Sequence, residues 1–211
     1  SFIASIKRLY KIFGKKSALK ELEYHNNPLK VPNILTYAEC MKMCDSKIYL
    51  KHKVIINLLY YCALRRGELL RLKLIHISNN NRLTIVDSKY GKSRTIPIPQ
   101  NVVDILNQYI TEFKPNEYLF NNDKGKDMYS TKSVENIIKN VAKLCGIEKR
   151  VYPHIMRSSC ATHLLDAGAS DMYVSEFLGH ENLQTTKDYY CRLTIKGMQD
   201  NFIQARERMS C

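Results

Sequence analysis

The chain lacks any apolar run of about 18 residues, the length a membrane-crossing helix needs, so no segment is expected to span a bilayer. It also lacks a Cys-x-x-Cys pair. Its seven cysteines are scattered and odd in number, which argues for free thiols in a reducing compartment rather than a disulfide framework. Cys40 and Cys44 lie one helical turn apart, but no nearby His or second Cys pair completes a metal site, so they read as core or surface thiols. Neither an initiator Met nor a signal-peptide pattern is found at Ser1-Phe2-Ile3, and the sequence is expected to be a piece of a longer protein. Internal repeats and low-complexity tracts are missing too. Negative charge is scarce: 20 Asp and Glu face 33 Lys and Arg, a net +13 spread along the whole chain. A folded domain this basic is drawn to a polyanion such as DNA or RNA, with an affinity that falls as salt rises.

What is present is enough for a core. At 211 residues, folding buries about 70% of the unfolded surface, so neither disulfide nor metal is required. Residues 1–14 carry apolar side chains at helical spacing (Phe2, Ile3, Ile6, Leu9, Tyr10, Phe13) and stop at Gly14. Residues 15–32 are polar and punctuated by Pro28 and Pro32, as in a linker from a mostly absent first domain to a complete second one over 33–211. That second domain opens on the capping box Thr36-Tyr37-Ala38-Glu39. An apolar-rich helix is predicted from about Tyr49 to Leu64. Arg82–Asp87 and Thr95–Ile98 read as strands flanking a Lys-Tyr-Gly-Lys turn, a basic hairpin. Helical spacing returns over 101–112, 132–145, 156–167, 171–178, 183–190 and 195–208. The fold class expected is mainly α with a small antiparallel β-sheet (α+β).

Four segments carry reactive or phosphate-binding side chains. In Ala63-Leu64-Arg65-Arg66-Gly67-Glu68-Leu69-Leu70, two Arg stand where one helix gives way to the next. A guanidinium fork suits the paired oxygens of a phosphate, though a solvated Arg pair beside a helix break looks the same. In Pro153-His154-Ile155-Met156-Arg157, His154 and Arg157 are three apart and share a helix face. In Phe177-Leu178-Gly179-His180, a Gly ends a short helix and lets His180 project. Nine residues later comes Tyr189, whose phenol becomes a nucleophile only where its anion is stabilised, as among Arg and Lys. Lys89 stands at the tip of the basic hairpin. Of the remaining candidates, His163 and Cys160 read as scaffold, one hydrogen-bonded and the other small and buried.

The stretch Pro153 to Tyr189 (PHIMRSSCATHLLDAGASDMYVSEFLGHENLQTTKDY) resembles the second motif block of the tyrosine recombinase family, the phage integrases and Xer-like enzymes. Ala63–Leu70 resembles the family's first block, and order and spacing both fit over about Thr36 to Tyr190. The resemblance implies the catalytic-domain fold and a site-specific recombinase or integrase. Such an enzyme cleaves and rejoins DNA through a 3′-phosphotyrosyl intermediate, with no cofactor, metal or ATP. It matches Arg65 to the first catalytic Arg, with Arg66 its less favoured neighbour, and His154 and Arg157 to the H-x-x-R pair. His180 matches the phosphate-bracing His, Tyr189 the nucleophile, and Glu68 a supporting acid. Lys89 is preferred to Lys92 as the hairpin Lys, and Tyr189 to Tyr190 by spacing. Ala63, Met156 and Ser158 depart from the usual Gly, Leu and His without removing a group the chemistry requires.

The same resemblance makes residues 1–14 the last helix of a core-binding domain and 195–209 a helix that interacts with a neighbouring subunit. Double-stranded DNA at an attachment or recombination site and self-association as a tetramer on two duplexes are the implied partners. The implied location is the cytoplasm or nucleoid, including the host cell of a virus or mobile element. A type IB topoisomerase-like activity and a binding protein derived from a recombinase are the alternatives.

Overall fold

The computed structural model describes residues 33–78, 80–86, 93–121 and 128–179, all within the unit Pro32–Cys211. The expectations for residues 1–32, the hairpin turn with Lys89 and Lys92, His180, the helices at 183–190 and 195–209, and Tyr189 lie outside these residues.

Helix α1, Tyr37–Asp45, begins at the anticipated capping box. The Thr36 hydroxyl accepts from the Glu39 N–H at 3.2 Å, and the Glu39 carboxylate accepts from the Thr36 N–H at 2.7 Å. Helix α2, Leu50–Tyr61, is buried continuously from Val54 to Tyr60, as a helix surrounded by others must be. Helices Tyr37–Asp45, Gln100–Phe113 (α4) and Pro153–Asp166 (α6) all pack on it. It ends three residues short of the predicted Leu64, because Ala63 takes φ +45°, a left-handed conformation that costs an alanine about 1 kcal/mol. That is the position where the family pattern has Gly. Here Ala63 is fully buried, and its carbonyl is held by the Arg157 guanidinium at 2.6 Å.

A five-residue helix α3, Arg66–Leu70, and a 3₁₀ turn, Leu74–His76, lead into the sheet. Strands β1 (Ile77–Ser78), β2 (Arg82–Val86) and β3 (Ser93–Pro97) form an antiparallel sheet in that order, with Leu83 opposite Ile96 and Ile85 opposite Arg94. Leu83, Ile85 and Ile96 point into the core. Two-residue β1 was not anticipated, being too short to show an alternation.

Helix α4 buries Val102, Val103, Leu106 and Tyr109 on one face. Helix α5, Thr131–Leu144, buries Val134, Ile137, Ile138 and Val141 and leaves Lys132, Lys139 and Lys143 on its outer side. Helix α6 starts three residues earlier than predicted, since Pro153 occupies its first position, where a missing N–H leaves no bond unmade. Helix α7, Asp171–Leu178, is capped by Ser170, whose hydroxyl accepts from the Tyr173 N–H at 3.2 Å, and closes on Gly179. No helix among the described residues is long and apolar enough to cross a membrane.

The chain leading into α1 is tied to α6. The Leu35 N–H donates to the Ser159 hydroxyl at 2.8 Å, and the Leu35 carbonyl lies 3.1 Å from His163 Nε2. The Lys149 ammonium donates to the Ile34 carbonyl at 3.3 Å, and the Leu35 side chain is fully buried.

Candidate active site

The site is assembled where α7 ends. Gly179 adopts φ +66° and ψ +51°, which leaves the last carbonyls of the helix without intrahelical partners. Three consecutive carbonyls each receive a different guanidinium. Phe177 accepts from Arg94 Nε at 3.0 Å, Leu178 from Arg157 Nη2, and Gly179 from Arg65 Nη2 at 2.9 Å. The negative end of the helix dipole suits this gathering of cations.

A single carboxylate answers them from the other side. Glu68 is the third residue of α3, and its side chain is 3% exposed. It accepts from Arg65 Nη1 at 2.7 Å and from Arg94 at 2.9 Å on each oxygen, while Arg157 Nη1 lies 3.9 Å away. It also caps its own helix, accepting from the Arg65 N–H at 2.8 Å. Burial pushes this carboxyl up, but the hydrogen bonds and charge of Arg94, then the bonds from Arg65, outweigh it and hold the pKa at about 2. Glu68 is therefore ionised at any physiological pH.

Arg157 is 3% exposed. Burial first, then the nearby charge of Arg65, lowers its pKa to about 9, which leaves it charged at neutral pH. His154, one turn earlier on α6, is exposed on the wall of the groove. Enclosure by those walls, with Arg157 and Arg65 beside it, holds its pKa below the ordinary histidine value, so the free site presents a neutral imidazole at pH 7.

Arg65, His154 and Arg157 line one groove of about 1450 Å³. Its walls come from α3, α5, the 146–152 segment and the start of α6, and carry eight Lys and Arg against two Glu. Lys132, Lys139 and Lys143 of α5 are thus on the same surface as the arginines. Arg66 faces this groove as well, where it pairs with Glu135, while Arg65 reaches Glu68 and the α7 end. Gly179 is the last described residue, and His180 follows it in sequence.

Two residues weighed earlier have structural roles. His163 engages both ring nitrogens, one with the Tyr60 hydroxyl at 2.8 Å and the other with the Leu35 carbonyl. Cys160 is buried, and burial pushes its thiol up to about 12. Among the described residues, no three His, Cys, Asp or Glu side chains are grouped as a metal ion would need.

Arg94 went unnoticed in the sequence. Strand alternation places it on the same inward face as Ile96, and a cation on a core face requires a counter-charge. That was the available signal. Gly179 is doubly constrained by it: beyond the positive φ, a β-carbon there would lie 2.9 Å from Arg94 Cδ and Nη1. Gly179→Ala is therefore expected to destabilise the fold by about 1–3 kcal/mol and to displace Arg94. Thermal melts and a crystal structure of the variant check both, and an unchanged Tm with Arg94 in place would refute the constraint.

The sequence profile of the phage integrase family matches residues 31–195. The tyrosine recombinase XerA of Pyrococcus furiosus is 33% identical over 204 residues, covering 94% of this chain and 70% of that protein. The tyrosine recombinase XerD of Listeria innocua is 30% identical over 223 residues, covering 95% and 74%. Among solved structures, a crystal structure of XerA recombinase superposes with a TM-score of 0.71 at 26% identity, covering 94% of this chain and 74% of that one. A XerH site-specific recombinase bound to its difH substrate superposes at 0.67 and 24% identity, covering 76% and 51%, a likeness of fold.

Proposed function

The chain belongs to the phage integrase family and is a tyrosine recombinase, and from that premise we propose that it breaks and rejoins duplex DNA through a covalent bond to Tyr189. The observation that carries this reading is the arginine pair. Arg65 is anchored to Glu68 and the Gly179 carbonyl, Arg157 to the Ala63 and Leu178 carbonyls, and both open on the same basic groove. Anchoring removes the cost of reorganising two cations when charge develops on the non-bridging oxygens of a phosphate.

In the proposed reaction the Tyr189 phenol oxygen attacks the scissile phosphorus, and the bond to the 5′ oxygen breaks. Lys89 gives that oxygen a proton, leaving a 5′-hydroxyl and a 3′-phosphotyrosyl bond. Neutral His154, with His180, orients the phosphate and handles the phenolic proton. A 5′-hydroxyl from a second duplex then attacks the phosphotyrosine and restores both the diester and the free tyrosine. Each step exchanges one phosphoester for another, so the reading requires no ATP, and it assigns the neutralising of phosphate charge to Arg65 and Arg157 rather than to a metal. A tetramer on two duplexes, acting in the cytoplasm or nucleoid, completes the proposal.

The experiment is a nicked suicide substrate carrying flanking DNA of the element, incubated with the protein in EDTA. A protein–DNA adduct that survives denaturing electrophoresis and maps by mass spectrometry to Tyr189 is expected. Relaxation of supercoils with no exchange between duplexes would favour a topoisomerase-like activity instead. DNA binding with no adduct, for this chain and for a longer one, would leave a protein that only binds.

A further inference from the structure

We propose that Arg94 is a positioning residue for Arg65 and Arg157, holding the Glu68 carboxylate and the end of α7 together so that both guanidiniums stay available to the groove. The inference rests on the reading that those two arginines hold the scissile phosphate. Arg94 itself does not line the groove, so it acts through its neighbours.

Its contacts use all three guanidinium nitrogens on the protein. Nη1 and Nη2 each bond one oxygen of Glu68 at 2.9 Å, and Nε bonds the Phe177 carbonyl at 3.0 Å. A planar fork spans three acceptors in this way, whereas a lysine ammonium is one point charge on a flexible stem. The Arg94 side chain is 14% exposed and lies against Gly179. It comes from β3, whose partner strand supplies none of the site, so it joins the sheet to the α3–α7 junction.

The charge balance gives the contact its consequence. With two bonds from Arg94 and one from Arg65 side chain, both Glu68 oxygens are satisfied, and Arg157 Nη1 stays 3.9 Å off rather than in direct contact. Without Arg94, a buried carboxylate would have lost its main partner. It would draw in the nearest cation not already bonded to it, Arg157 at 3.9 Å, and an Arg157 closed onto Glu68 would compete against the phosphate. Arg94 therefore keeps an internal anion from occupying the site meant for an external one.

The test uses Arg94→Gln, Arg94→Lys, Glu68→Gln and the double variant Arg94→Gln/Glu68→Gln, with covalent trapping on the nicked substrate and DNA affinity measured separately. Arg94→Gln is expected to slow trapping by about 10- to 100-fold with little change in affinity, and Arg94→Lys is expected not to restore it. The double variant is expected to trap DNA faster than Arg94→Gln alone, because the competing charge is gone. Additive losses in the double variant, or a parental rate for Arg94→Lys, would overturn the proposal. A crystal structure of Arg94→Gln provides an arm independent of activity: Arg157 should close from 3.9 Å to direct contact with Glu68, and an unmoved Arg157 would also overturn it. If neither the parent nor a longer chain traps DNA, the recombinase chemistry fails while this crystallographic arm still decides what Arg94 does.

Discussion

A Tyr189→Phe variant is expected to bind flanking DNA as the parent does and to leave none of it covalently attached. Trapping should fall by more than about a thousandfold, the scale on which removing a nucleophile acts. In the proposed reaction the phenol oxygen is the atom that forms the bond, and phenylalanine differs from tyrosine only in lacking it. Tyr190 is the adjacent candidate, but in the helix predicted over 183–190 successive residues point about 100° apart, so a phosphate placed for one is expected to lie out of reach of the other. Tyr190→Phe is accordingly expected to retain an adduct at Tyr189. Equal adduct from the parent and from Tyr189→Phe would end the enzymatic reading, and loss in Tyr190→Phe alone would move the nucleophile by one residue.

Replacing Glu68 with Leu is the change expected to cost most in stability. The carboxylate is 3% exposed and faces two guanidiniums that are themselves largely buried, Arg94 at 14% and Arg157 at 3%. Removing one partner of such a set leaves uncompensated buried charge, a loss of about 3–5 kcal/mol. On a chain of this length that lowers Tm by roughly 10 °C. The capping bond to the Arg65 N–H disappears as well. Glu68→Gln, which keeps an acceptor oxygen but no charge, should lose less.

Acid provides the same test without a large change of shape. The folded carboxyl titrates at about 2, below its ordinary 4.5. Its contribution is therefore complete above 4.5 and declines as pH falls from there towards 2, where the native carboxylate also takes up a proton. Melts of the parent should steepen in that window, and those of Glu68→Gln should lack this component. Parallel losses in the two proteins would rule out Glu68 as the titrating group.

Features that depend on near neighbours were legible in the sequence. The capping box at Thr36 and Glu39 fixed the start of α1, and three-residue spacing put His154 and Arg157 on one helix before the helix was seen. Errors arose where a distant contact overrode the local pattern. Apolar spacing carries α2 on to Leu64, but Ala63 turns left-handed against the grip of Arg157, which is 94 residues away. The use of three carbonyls of α7 as ligands for Arg94, Arg157 and Arg65 is likewise written in no single segment. Arg94 fell just outside the predicted strand Thr95–Ile98; β3 starts two residues earlier, at Ser93, and alternation then turns Arg94 inward beside Ile96, towards a Glu68 that lies 26 residues earlier.

The tether at Leu35 gives α6 a mechanical character. A load that reaches Leu35 bears on Ser159 and His163, which its main-chain N–H and carbonyl engage. Ser159 lies two residues from Arg157 along a rod that rises about 1.5 Å per residue, so the load is applied about 3 Å along the axis from the guanidinium-bearing residue. Helix α6 is thus held on one flank at Ser159 and His163 and carries His154 and Arg157 in its first turns. Leu35 is thereby coupled to the helix that carries two groove residues, on a length scale where an ångström alters a reaction rate.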